Sequence, residues 1–323
     1  MQLKEFIGKV NHYSSLHIPF LFLVDFEMEK PFVCELNQAY RLGFTYFVKG
    51  KMNAIMESFG DMSHCKMFID PLTTEKYSEA FNRVQENIHD GNTYLLNLTF
   101  PTNLEIDTTF KEIFINASAP YKLLHNDFVV FSPECFIKIN GNEIYSYPMK
   151  GTIDASIVNA EEIILRDKKE LWEHNTIVDL IRNDLSMVST NVKVTRFRYT
   201  SKIKTHKNEL YQVNSEIKGQ LPDNWRDNFG NMLIKLLPAG SISGAPKQKT
   251  IEIIKEAEGE KRGYYTGVFG IYDGNNVDSA VMIRYMENYA GGKQFRSGGG
   301  ITAMSNVEEE YKELISKVYV PFI

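Results

Sequence analysis

A chain of 323 residues with 43% hydrophobic and 24% charged side chains can bury a large core, as one big domain or two ordinary ones. Its formal net charge of −5 excludes the broad basic surface of a nucleic-acid binder, although a few local cations would still hold an anionic small substrate. Cys34, Cys65 and Cys135 form no CxxC pair and no zinc-spaced cluster, and read as reduced thiols.

Residues 1–75 read as short strands and turns, clearest at "FLFLVDF" and "TYFVKG". The apolar run "IPFLFLVDF" (Ile18–Phe26) is too short to cross a bilayer and lacks the basic start of a signal peptide, so no membrane is expected and the expected location is cytoplasmic. "YSEAFNRVQENIHDG" (Tyr77–Gly91) has helical apolar spacing and a glycine stop. "TYLLNLTF" and "FVVFSPECFIKING" read as strands, with "GNEIYSYPMKG" as a partner after an Asn-Gly turn.

A long helical section is predicted from about Asn159 to Met187, and another helix over Pro246–Glu260. "TGVFGIYDGNNVDSAVMIRYMEN" predicts a hairpin, "QFRSGGGIT" a glycine-interrupted strand, and "SNVEEEYKELISK" a last helix with Ser305 and Glu308 at capping-box spacing. No linker divides the chain, so residues 1–323 are expected to form a single domain. Antiparallel strands mixed with grouped helices point to an α+β fold rather than repeated βαβ units.

Glu170 and Glu173 sit three apart on one helix face, and Glu310 and Glu313 repeat that spacing in the last helix. Taken alone, each pair is weak evidence, because glutamates at helical spacing are usually a solvated face. Two such pairs converging would make an all-oxygen site, for which magnesium is the best match.

"PAGSISGAPKQKT" (Pro238–Thr250) fails the GxxxxGK[ST] test for a phosphate loop. Gly298, Gly299 and Gly300 in "SGGG" either let an anion approach the backbone or mark a bulge. Arg284, after the apolar run "SAVMI", calls for a substrate carboxylate or an internal salt bridge.

Taken together, "FSPECF", "PMKGT", "EHNTIVDLIRNDL", "GSISGAPKQKTIEIIKEAE", "RGYYTGVFGIY", "IRYM", "GGGIT" and "EEEYKELISK" resemble, in order, the chorismate-utilising enzymes. That family includes component I of anthranilate synthase and of aminodeoxychorismate synthase, and the isochorismate synthases. The resemblance runs from about Tyr77 to the C-terminus; residues 1–75 are less recognisable. It implies two large, roughly orthogonal antiparallel sheets with helices outside and the active site in the cleft between. It also implies Mg2+ on Glu173 and Glu313, with Glu170 and Glu310 nearby through water. Substrate contacts would come from Gly151, Thr152, Tyr265, Arg284 and the amides of Gly298 to Gly300.

Within the family, anthranilate synthases resemble "PIAGT" where this chain has "PMKGT", and aminodeoxychorismate synthases resemble "PIKGT". Isochorismate synthases carry a lysine base in the strand that aligns with "TYLLNLTF", where this chain has Leu95. Lysine at 150 and none at 95 therefore resembles the aminodeoxychorismate synthases. By that resemblance Lys150 is a nucleophile toward C2 of chorismate, with its pKa lowered by burial and the metal, and Glu134 is the acid that helps the C4 hydroxyl leave. Gln212 stands where the family often has a histidine tied to later ring chemistry. No Gly-x-Cys-x-Gly segment is visible, and the resemblance implies that ammonia comes from a separate glutamine amidotransferase subunit. The alternatives are anthranilate or isochorismate synthesis, or a chorismate-binding subunit without catalysis.

Overall fold

The computed structural model describes residues 1–54, 65–204 and 209–321. Among the described residues the strands form two nine-stranded antiparallel sheets, flanked by helices. The first sheet runs from Met149–Asp154 through Glu209–Gln220, Glu143–Ser146, Cys135–Asn140, Val277–Val281 and Val268–Tyr272 to Phe20–Val24 and Phe32–Glu35, with Thr190–Lys204 also on Glu209–Gln220. The second places Leu95–Ile106 and Gly292–Ile301 beside Tyr285–Tyr289, Phe128–Ser132 and Tyr121–Leu124. Thr45–Val48 extends that sheet, so the N-terminal portion contributes to both.

The apolar run at the N-terminus is explained by its position. All five residues of Phe20–Val24 are buried, and alternate side chains enter different cores. Phe20, Phe22 and Val24 pack toward the helices against Phe229 and Tyr272, whereas Leu21 and Leu23 join Tyr46, Tyr121 and Phe269 between the sheets.

The first fifteen residues depart from the strand-and-turn reading. Leu3–Ser15 is a helix whose Phe6 and Val10 are buried against the Phe229–Leu236 helix. Its apolar residues Leu3, Phe6, Ile7, Val10 and Tyr13 follow helical period, so one face is apolar and packs on the core. The part of that reading over 55–64 lies outside the described residues. The predicted 159–187 helix is two helices, Ala160–Arg166 and Lys168–Ser186. Asp167 separates them in an extended conformation and caps the second, its carboxylate accepting from Glu170 N at 2.9 Å. The Ser305–Glu308 capping box does not form. Asn306 is the cap instead, and Ser305 Oγ donates to Glu310.

Candidate active site

Lys150 lies on the edge strand Met149–Asp154, whose pairing slips between Met149↔Asn214 and Thr152↔Gln212. Three steps on one strand match two on the other, a bulge that re-aims the intervening side chains. Gly151 permits it with φ +82°, and a Cβ there would lie 2.6 Å from Glu170 Oε2. The Tyr-Pro and Gly-Thr flanks of Lys150 thus form a device for pointing an amine off the ladder.

That amine meets Glu173 Oε2 at 2.7 Å. Burial alone would push the Lys150 ammonium down, but Glu173, Glu313 and Glu170 more than offset it, so its pKa lies above the ordinary lysine value. Burial thus acts in the expected direction, but without counter-charge on the carboxylates Lys150 is a cation.

The four paired glutamates line one cavity of about 530 Å3, from the Lys168–Ser186 and Val307–Ser316 helices. Lys150, Glu134, Gly151, Thr152, Tyr265, Arg284, Gly298, Gly299 and Gly300 line the same cavity. Every candidate side chain and glycine is therefore brought together. Burial pushes Glu134 up, against the hydrogen bond from Ser241 and the cations of Lys150 and Lys317. Ser241 Oγ donates to Glu134 Oε1 at 2.5 Å. Burial also lifts the Tyr265 phenol, to about 12.

Arg284 stacks over Tyr319 at 5.0 Å and, among the described residues, makes no ion pair, so the internal salt bridge considered for it is not formed. Gly298 to Gly300 pair with Thr99, Leu98 and Asn97 on one side, while Tyr285–Tyr289 on the other ends opposite Arg296. Beyond Arg296 that edge is open, and Lys317 Nζ donates to Gly298 O there at 2.7 Å. Leu95 and Lys150 reach the same spot: a Cβ on Gly300 would lie 3.2 Å from Leu95 Cδ1 and 3.8 Å from Lys150 Nζ.

Lys317 and Ser241 are among the cavity side chains that escaped the sequence reading. Lys317 is paired with Glu313 Oε1 at 2.7 Å; burial lowers its pKa, partly offset by Glu313 and reinforced by Arg284 and Lys150. Its signal was spacing, since Lys317 is four residues after Glu313 on the same helix face. Ser241 was hidden inside the rejected phosphate-loop motif.

As a metal site the donor set is right in kind, with hard carboxylate oxygens on two facing helices. Among the described residues no three of these groups close on one point as a ligand set. Lysine ammonium groups hold Glu173 and Glu313 instead. The cavity carries five carboxyl groups and four cationic side chains, and one of the latter, Arg296, is bound to Glu287 and Glu260. A dianionic ligand needs more positive charge than this, and a divalent cation would supply it.

With this geometry established, the chain belongs to the chorismate binding enzyme family, which matches residues 46–322. An uncharacterised PabA-like protein of Pasteurella multocida is 48% identical over 322 residues, covering 99% of each chain. Aminodeoxychorismate synthase component 1 of Escherichia coli K12 is 32% identical over 263 residues, 76% of this chain and 57% of that protein. The crystal structure of anthranilate synthase component I from Streptococcus pneumoniae has a TM-score of 0.70 over 98% of this chain and 83% of that one, at 22% identity, a likeness of fold.

Proposed function

We propose that the protein is the aminating subunit of an aminodeoxychorismate synthase, converting chorismate and ammonia to 4-amino-4-deoxychorismate and water. The observation that carries this reading is the placement of Lys150 and Glu134 in one cavity with Leu95 where a water-activating lysine would otherwise stand. In the first step neutral Lys150 Nζ forms a bond to C2 while the C4 hydroxyl departs as water, taking the Glu134 proton. Ammonia then bonds to C4 as the C2–N bond breaks, Lys150 leaves with that electron pair, and the new ammonium returns a proton to Glu134. Two displacements at C4 and C2 retain the original configuration.

Glu173 and Glu313 would hold magnesium, with Glu170 and Glu310 behind them through water. When bound, that ion would hold a substrate carboxylate and cancel the carboxylate field that keeps Lys150 protonated. Arg284 and the open edge at Gly298 to Gly300 are suited to a second carboxylate, while Thr152 and Tyr265 bound the ring. Gln212, opposite Thr152, cannot shuttle protons near neutral pH and fits an enzyme that stops at the amino-dienyl product.

Ammonia would come from a separate glutamine amidotransferase subunit, and a separate lyase would carry the product on to 4-aminobenzoate for folate synthesis. Burial lifts the thiols of Cys34 and Cys65 to about 11 and that of Cys135 to about 12, so none is an activated nucleophile. Free thiols fit the cytoplasm, and among the described residues no helix is long and apolar enough to cross a membrane. The test is to incubate the purified protein with chorismate, magnesium and ammonium and identify the product. 4-Amino-4-deoxychorismate is expected; anthranilate or isochorismate as the main product overturns the reading.

A further inference from the structure

Glu134, Gly240 and Ser241 form a wall with two sides: they line the 530 Å3 cavity and also a void of about 20 Å3 behind it. The void has room for about one water. Its wall includes Asp184, from the far end of the helix that carries Glu170 and Glu173. Asp184 is buried, packs against Gly240, and pairs with Lys247 Nζ at 2.9 Å. Lys247 also donates to Leu236 O at 3.1 Å, so it ties the two ends of the segment that contains Ser241. The fit leaves no spare space: a Cβ on Gly240 would lie 2.8 Å from Asp184 Oδ2 and 2.9 Å from Leu180 Cγ.

A carboxylic acid that accepts a hydrogen bond on one oxygen carries its proton on the other. Ser241 Oγ donates to Glu134 Oε1, which leaves Oε2 as the oxygen able to bear and release the proton. A serine can impose that choice only if its own backbone is fixed. The residues that fix it come from "IRNDL" and "GAPK", two motifs to which the chemistry itself assigns no task.

We infer that Asp184 and Lys247 are positioning residues that clamp the Gly240–Ser241 turn, so that Ser241 locks Glu134 in the orientation that donates its proton into the cavity. The inference rests on the proposed acid role of Glu134. The charged groups facing Glu134 are Lys150 and Lys317, and the one facing Asp184 is Lys247. All of these remain in a Ser241 variant, so that variant isolates the hydroxyl.

The experiment measures kcat and KM for chorismate, with ammonium and magnesium, across pH for Ser241→Ala, Ser241→Thr, Asp184→Asn and Glu134→Gln. Ser241→Ala and Asp184→Asn should lower kcat by about tenfold with KM within about twofold, a fraction of what a general acid contributes. The basic limb of the kcat profile should move up in Ser241→Ala, because the lost donor favoured the ionised carboxylate. Ser241→Thr, which keeps the hydroxyl, should restore both rate and limb. An unchanged kcat and limb in Ser241→Ala, or a loss confined to KM, overturns the inference. Should Asp184→Asn unfold, as circular dichroism would reveal, Ser241→Ala and its threonine rescue decide alone. If Glu134→Gln turns over normally, the acid role itself is wrong; if it is dead while Ser241→Ala is normal, only the clamp is wrong.

Discussion

Lys150 Nζ donates to Glu173 Oε2 at 2.7 Å, an ion pair between the proposed nucleophile and a proposed metal ligand. One carboxylate cannot fully serve both, so loading a metal there would free the amine in the same event. A lysine that had to be neutral at all times would not be placed among three glutamates. The arrangement suits an amine kept charged until the site is filled.

Replacement of Lys150 by alanine should reduce product formation to background and abolish any protein–substrate adduct visible by intact-mass spectrometry. Lys150→Arg keeps the charge but not the nucleophile, and should be equally inactive. Lys317 supplies the control, since burial lowers its proton affinity in the same cavity. An adduct mapped to Lys317, or a Lys150→Ala chain with normal rates, would move the chemistry away from Lys150.

Calorimetry with magnesium and chorismate should lose its metal-dependent signal in Glu173→Gln and Glu313→Gln. Glu170→Gln and Glu310→Gln, acting through water, should weaken the metal by about 10- to 100-fold. Binding should also release a proton from Lys150, seen as a dependence of the measured enthalpy on buffer ionisation. Binding that is indifferent to all four changes would refute the carboxylate assignment.

His174, next to Glu173 and buried, has its Nε2 2.7 Å from Ser215 Oγ. Burial, with Arg198 and Lys150 adding to it, pushes its pKa down to about 4. Above about pH 6.5 the imidazole is neutral in both folded and unfolded chains. Between there and pH 4 the unfolded chain binds the extra proton, so stability must fall as pH falls, by up to about 3 kcal/mol. Urea midpoints from pH 7 to 4.5 should show this slope in the wild type and a flatter one in His174→Gln.

Arg262 and Glu258 are an almost fully buried pair, 1% and 2% exposed, that braces the cavity wall. The guanidinium also donates to Ile242 O at 3.0 Å and Asn97 O at 2.6 Å, while Glu258 accepts from Thr99 N and Oγ. Glu258→Ala strands that cation and should cost roughly 3–5 kcal/mol in denaturant unfolding. The double variant Glu258→Met/Arg262→Met should recover part of the loss. If it is the less stable of the two, the isolated charge is not the cause.

What could be read in advance was what repeats locally. The glutamate pairs follow helical period, the glycines of "SGGG" lie in a strand context, and "FLFLV" is apolar throughout because both its faces are buried. What could not be read depended on contacts between distant segments. The Leu3–Ser15 helix is legible in the period of its apolar residues, which the strand-and-turn reading passes over, whereas Asp167 interrupts a helical pattern whose periodicity continues across it. The charge of Lys150 is set first by Glu173 on a neighbouring helix and then by Glu313, which lies 163 positions further along the chain but faces the same cavity. Asp184, Gly240 and Lys247 likewise become partners only once helix and turn are brought together.

The irregular step between Met149 and Thr152 has a consequence for how this protein can change. The aim of the amine depends on how many residues stand in that step as much as on which ones. Deleting one would restore regular alternation and swing Lys150 to the opposite side of its ribbon, leaving every side chain of the cavity intact around a missing centre. Variation in length is therefore closed to this segment, just as a side chain is closed to Gly151.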